Sequence, residues 1–202
     1  MDKKIIVVIN EYKYSLKNVL IDYSVIEIPF DINIINNIDN IDEEVIIIYL
    51  DINNIEKLEY LKNKIKIDVI FIPKINGCYT STIEKKEFKF IRKILRKLKN
   101  TTLIINDNDK YLKNIFYNKL DIYRYGSNLY DDIEYMNKNG ELLIKYQDKI
   151  YNIKVNDPNI IGNIIIGLLF GKNIELIIDK INNWENYLNS VYYLGRDVNL
   201  WK

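Results

Sequence analysis

Five short stretches, KKIIVVIN (3–10), SVIEIPF (24–30), EEVIIIYLD (43–51), IDVIFIP (67–73) and TTLIIND (101–107), are nearly unbroken runs of β-branched residues. A strand with one wet face alternates polar and apolar residues. A strand apolar at almost every position is buried on both faces, the condition of a parallel sheet covered by helices. Between the runs, 12–23, 53–63, 82–99 and 109–117 carry apolar residues at helical spacing. The rhythm predicts a parallel sheet with crossover helices. Runs 43–51 and 67–73, separated by one helical stretch, are expected to be parallel neighbours.

After LDIYRYGS (120–127) the pattern becomes IEYMNKNGELLIKYQDKIYNIKV, with Asn139-Gly140 and Gln147-Asp148 as turns between alternating strands. An antiparallel meander over 120–155 is expected. Two helices follow, about 157–170 and 174–188, with Gly171 as the stop between them. The expected fold class is α/β: a mainly parallel sheet with crossover helices, an antiparallel meander and a C-terminal helix pair. One domain over 1–202 is expected, made of a parallel α/β part (1–118), the meander (119–155) and the helix pair with its C-terminal segment (156–202).

Much chemistry is excluded by residue type. The chain has no histidine and one cysteine, Cys78, so Ser-His and Cys-His nucleophiles, imidazole metal sites and an internal disulfide are ruled out. The first glycine is Gly77, and the turn after the first strand, VVINEYKYS, lacks the glycines whose bare backbone wraps phosphates. Lys13 sits where a phosphate-binding lysine could, but an exposed lysine is the ordinary reading. Lys+Arg number 29 against Asp+Glu 28, a net charge of +1, so no overall field draws the chain to nucleic acid or an anionic membrane. KKEFKFIRKILRKLK (85–99) is basic and amphipathic, with RNA binding as one reading and a crossover helix with a solvated lysine face as the preferred one. No segment approaches the roughly 20 apolar residues of a membrane span, and MDKKIIVVINEYK is unlike a signal peptide. A cytoplasmic protein is expected.

One stretch asks for more than a core role. NDPNIIGNIIIGLLFG (156–171) starts an apolar helix with two asparagines three apart. As residues alone, Asn156 or Asp157 can cap the helix, with Pro158 in its first turn and Asn159 a bystander. With its surroundings, however, the second half of the chain resembles the central ATP-binding domain of the Mur ligase family, which joins amino acids to cell-wall precursors. IDVIFIPKING (67–77), STIEKKEFKFIRKIL (81–95), LIINDND (103–109), RYGS (124–127), the N-x-x-N helix pair and LGRD (194–197) follow the family's motif order. The resemblance implies that Asn159, with Asn156 beside it, meets an adenine and that Arg196 lies near ribose and phosphates. Asn106 and Asp109, in the NDND strand end, fall at the rim of that pocket. A carboxamide offers a purine both donor and acceptor, and a guanidinium favours phosphate.

The departures shape the functional expectation. The family's glycine-rich Lys-Thr/Ser loop is absent from 8–16, its Asp-His metal loop has no histidine, and the flanking substrate and amino-acid domains are not in this sequence. Formation of an acyl phosphate then lacks its main electrostatic stabilisation. The expectation is a degenerate Mur-ligase-like protein that is not an enzyme, has no catalytic or metal-binding residues and works as a binding or assembly partner. The alternative is an adenine-nucleotide-binding subunit of an ATP-dependent amide-forming ligase, completed by another chain. No cofactor is required beyond a weakly held adenine nucleotide. The expected partner is a protein or a second copy, met through the aromatic segment ENYLNSVYYLGRDVNLW with Tyr187, Tyr192, Tyr193 and Trp201, and neither nucleic acid nor membrane.

Overall fold

A computed structural model describes residues 3–9, 14–75 and 81–183. Nine strands form one sheet: β1 (Lys4–Ile9), β2 (Val25–Pro29), β3 (Val45–Leu50), β4 (Val69–Ile72), β5 (Thr102–Asn106), β6 (Asp121–Gly126), β7 (Ile133–Lys138), β8 (Glu141–Tyr146) and β9 (Lys149–Ile153). The helices are α1 (Ile32–Asn36), α2 (Lys57–Lys64), α3 (Ser81–Leu95), α4 (Ile160–Leu169) and α5 (Ile174–Asn182). None among the described residues is long and apolar enough to cross a membrane.

The sheet order is β2-β3-β1-β4-β5-β6-β7-β8-β9, and the first six strands are all parallel. Side chains alternate between two cores, as strand geometry requires. Ile6, Val8, Val45, Ile47, Val69, Phe71, Ile104 and Tyr125 pack towards α4 and α5. Ile5, Val7, Ile46, Ile48, Ile70, Ile72, Leu103 and Ile105 pack towards α2 and α3. The continuous apolar runs are thus explained, since each strand fills both layers.

Four expectations need correction. Strands β3 and β4 are parallel but not neighbours, because β1 lies between them and pairs with both. Strength of an apolar run reports burial, not lateral position, and β1, the strand buried on both faces in the middle, is where the chain's direction across the sheet reverses. Stretch 12–23 is not a crossover helix: from 14 onward it forms successive turns, with Val19 N–H bonded to Leu16 O (3.1 Å) and Leu20 N–H to Lys17 O (3.3 Å). Leu16, Val19 and Leu20 still reach the α4 core, so the helical spacing of apolar residues is met by turns. Stretch 109–117 is likewise turns, shaped by the Asp109 carboxylate, which accepts from Tyr111 N–H (2.8 Å) and Leu112 N–H (3.3 Å). Finally, β6 belongs to the parallel sheet and not to the meander; only β7, β8 and β9 are antiparallel.

The β6-to-β7 link shows why. A parallel pair ordinarily needs a crossover of a dozen residues or more. Here β7 starts where β6 stops, with only Tyr125 opposite Ile133 and Gly126 opposite Glu134, so the short loop 127–132 suffices. At the far edge, Asn182 of α5 donates Nδ2–H to Asn152 O (3.0 Å) and accepts Lys154 N–H (2.8 Å). One carboxamide thereby satisfies two backbone groups at the C-terminal end of the β9 edge.

Helix α4 ends as expected at Gly171, whose φ of +73° suits the 6→1 and 5→2 bonds from Lys172 N–H to Gly167 O (3.0 Å) and Gly171 N–H to Leu168 O (2.9 Å). Its glycines serve packing. A Cβ on Gly162 would lie 2.1 Å from Cζ of the fully buried Phe71, and one on Gly167 would lie 2.6 Å from the Cδ1 end of Ile177. Gly162→Ala should therefore cost about 1–3 kcal/mol and Gly167→Ala less, because an isoleucine terminus rotates away more easily than a ring enclosed in the sheet face. Urea unfolding of both variants checks the order.

Candidate functional site

Open α/β sheets bind ligands beyond the carboxyl ends of their strands, where strand order reverses. In this chain that edge is formed by the ends of β1, β4, β5 and β6 and the start of α4. Residues 10–13 and 76–80, which follow β1 and β4 in the sequence, lie outside the described residues, as do Arg196 and the aromatic C-terminal segment.

The floor of the edge is a hydrogen-bonded chain of side chains. Tyr14, buried just after β1, donates its hydroxyl to Asp157 Oδ2 (3.1 Å). Asp157 Oδ1 accepts the N–H of Asn159 (3.0 Å), turning the backbone into α4. Asn159 Oδ1 in turn accepts from the hydroxyl of Tyr125 (3.3 Å), a fully buried β6 residue whose oxygen also lies 3.5 Å from Pro73 O at the end of β4. One chain of contacts thus ties together the ends of β1, β4 and β6 and the start of α4. One turn further on, Asn163, fully buried in α4, donates Nδ2–H to Ser15 O (3.1 Å) and fixes the turn that leaves β1.

Burial raises the pKa of the Tyr14 hydroxyl well above the phenol range, helped by the adjacent Asp157 carboxylate. Burial also raises Tyr125, with smaller contributions from Tyr135, Asp157 and Asp109, and it raises Tyr135 against the opposing effect of its bond from Asn108. All three phenols therefore remain protonated donors at neutral pH.

The sequence-predicted residues separate here. Asn159 lies in the floor, with its carbonyl accepting from Tyr125. Asn156 is exposed and accepts from Asn137 Nδ2–H of β7, so it braces the meander against the α4 start. Asn106 ends β5 and holds its own turn, its Oδ1 accepting Asn108 N–H (3.0 Å). Asp109 is buried and accepts the Ile75 N–H (2.6 Å) besides the two turn amides, which locks the segment after β4 to that after β5. Tyr14 and Asn163 had no local motif to reveal them, Tyr125 lies within RYGS without a role read for it, and Asp157 was read only as a helix cap.

A second polar group flanks the floor. Asp107 pairs with Arg124 Nη1 (2.5 Å) and accepts from Asn128 Nδ2–H (3.0 Å). Loop 127–132 is fixed by Ser127 N–H to Asn108 Oδ1 (3.2 Å) and Asn128 N–H to Asp131 Oδ2 (3.0 Å). Burial beneath this loop raises the Asp131 pKa above 3.8, opposed by the bond from Asn128. A Cβ on Gly126 would meet that carboxylate at 2.4 Å.

No protein-family model and no curated protein matches the sequence. Solved structures do match the fold. The MurF ligase from Thermotoga maritima, in complex with ADP, superposes with a TM-score of 0.69 at 13% identity, over 91% of this chain and 48% of that one. The fold is Mur-ligase-like. The UDP-N-acetylmuramoylalanyl-D-glutamyl-2,6-diaminopimelate--D-alanyl-D-alanyl ligase from Acinetobacter baumannii gives a TM-score of 0.66 at 13% identity, over 90% of this chain and 46% of that one. The chain therefore spans about half the length of these two Mur ligases.

Two measurements follow from the floor of this Mur-ligase-like edge. Asn159→Ala removes the nearer acceptor of the buried Tyr125 hydroxyl, leaving only the longer contact to Pro73 O, and should cost about 1–3 kcal/mol; in a Tyr125→Phe background it should cost clearly less, giving a coupling in a double-mutant cycle. For Asp131 the folded pKa lies above the unfolded one, so the native state binds more protons and stability falls as pH rises from 3.8 through the raised value. Asp131→Asn keeps an acceptor for Asn128 and removes that fall. Melts of the two proteins should coincide best at the acid end and diverge, in favour of the variant, towards neutral pH.

Proposed function

We propose that this chain is a Mur-ligase-like central domain that carries out no ligation and works as a cytoplasmic binding or assembly partner. The observation behind the proposal is how the edge carboxylates are used. Asp107 is engaged by Arg124 and Asn128, Asp109 by three backbone amides, Asp131 by Asn128 and Asp157 by Tyr14 and Asn159. Each holds the protein together where a ligase would need charge aimed at Mg²⁺ and transferring phosphate. The sequence adds the lack of any glycine before Gly77 and of histidine throughout. The aromatic segment with Tyr187, Tyr192, Tyr193 and Trp201 would offer a protein partner its anchors, while the near-neutral charge favours neither nucleic acid nor membrane as partner.

A second reading has its own support. The ADP in the Thermotoga maritima MurF ligase structure and the place of Asn159 in the floor favour an adenine-nucleotide-binding subunit completed by another chain. Asn159 would then face the base, with Asn106 and Asp109 at the rim and Asn156 and Arg196 contributing from the side. Lacking a phosphate cradle, such a site would hold adenosine and ATP alike.

Calorimetry with adenosine and with ATP, with and without Mg²⁺, tests both. The expected result is equal weak binding of the two or none, with no phosphate released from Mg-ATP. Tight Mg²⁺-dependent ATP binding, or phosphate release abolished by a substitution in this chain, would overturn the non-catalytic proposal.

A further inference from the structure

On β4 and β5 the sheet face opposite α4 is covered by α3, but beyond β6 no described helix packs on it. Three large apolar side chains stand out there, Phe116 (72% exposed), Met136 (56%) and Ile150 (71%), and Leu129 (78%) and Tyr130 (96%) stand out on the adjoining loop between β6 and β7. Phe116 belongs to this face because the Arg124 guanidinium lies 4.7 Å over its ring. Leu129 and Tyr130 form the tip of a turn that Asn128 and Asp131 hold rigid, through Asp131 N–H to Asn128 O (3.1 Å) and the bonds already described. Anchors held in place before binding lose little entropy when covered.

The meander's share of this face has an ordered pattern. Across β7 and β8 the register sets Glu134 beside Lys145, Met136 beside Leu143 and Lys138 beside Glu141. Ile150 of β9 adjoins Lys145. An apolar row thus lies between two charged rows whose signs run in opposite order. Such a pattern complements itself. If a second copy is laid face to face by a two-fold axis running along the strands between β7 and β8, Glu134 of each copy meets Lys145 of the other, Lys138 meets Glu141, and Met136 meets Leu143.

We propose that this open face joins two copies of the chain, sheet against sheet, about that axis. The arrangement is isologous and closed, so it ends at a dimer, and aligned sheets pack at about 10 Å with their side chains interleaved. The alternating signs present no field for a polyanion. Asn182 already engages Asn152 O and Lys154 N–H at the C-terminal end of β9, and association through the face leaves that contact intact. A stable interface covers roughly 800 Å² per partner, more than the meander alone supplies, so the contact must extend to Phe116 and the Leu129-Tyr130 turn.

The inference rests on the assembly reading above, but its test does not involve catalysis. Sedimentation equilibrium of the full chain should give twice the 24.2 kDa chain mass. Glu134→Lys alone and Lys145→Glu alone should each halve it, since like charges then face one another across the axis. An equimolar mixture of the two variants should restore the doubled mass, because each introduced charge then meets its opposite. Ile150→Lys, at an exposed position outside those pairs, should also halve the mass while the circular dichroism spectrum stays native. A wild type that is monomeric at every concentration, a dimer undiminished by any of the three variants, or a mixture that stays monomeric would overturn the proposal. A monomer without ATP turnover would leave the non-catalytic reading standing, and a dimer that turns over ATP would sink that reading alone.

Discussion

Two-sided burial of β1 is the constraint on which the rest depends. Five of its six residues are buried, with Ile6 and Val8 in one core and Ile5, Val7 and Ile9 in the other. A strand in that state needs a covering layer on each face, and here β3 lies on one side of it and β4 on the other. The chain's direction across the sheet reverses at β1, which sets the edge at the strand ends. The polar floor of that edge is a consequence of the core: Tyr125 is large enough to fill the α4 layer, and its hydroxyl then needs an acceptor at the buried end. Asn159 supplies it.

This places Asn159 in a double position. A residue that only capped α4 would direct its carbonyl at the first-turn amides, yet Asp157 handles the entry and the Asn159 carbonyl turns to Tyr125. The same carboxamide therefore contributes to stability whether or not a ligand is bound. Removing it cannot by itself separate a lost pocket from a loosened fold. The Tyr125→Phe background makes that separation, because it removes the stranded hydroxyl and leaves any ligand contact of Asn159 intact.

The parallel strands were legible in the sequence because β-branched runs report burial directly, and the turns at Asn139-Gly140, Gln147-Asp148 and Gly171 because a left-handed backbone selects its residues; all of these except Gln147, Asp148 and Asn139 are glycines, and those three also have positive φ. Strand order was not legible, since Val45–Leu50 and Val69–Ile72 carry the same pattern whichever strand lies between them. Nor were the turn segments around Leu16 and Leu112, where spacing alone matches a helix and the deciding hydrogen bonds come from distant or side-chain groups. Asn159, Asn106 and Asp109, singled out by motif order, lie among the hydrogen-bonded groups at the strand ends. Tyr14 and Tyr125 were not, because a tyrosine among apolar neighbours looks the same in a sequence whether its hydroxyl reaches water or a buried partner.

The two ends of the sheet show how the chain distributes polarity. In the parallel half both faces of the central strands are covered, and the polar side chains at the strand ends bond one another across β1, β4, β5, β6 and α4. In the antiparallel half no described helix covers one face, and Glu134 with Lys145 and Lys138 with Glu141 form cross-strand pairs on it. Solubility alone would be served by charges at Met136 and Ile150 as well. Large apolar side chains kept between ordered charges are instead what a surface needs when water is excluded from its centre and register is set at its margins.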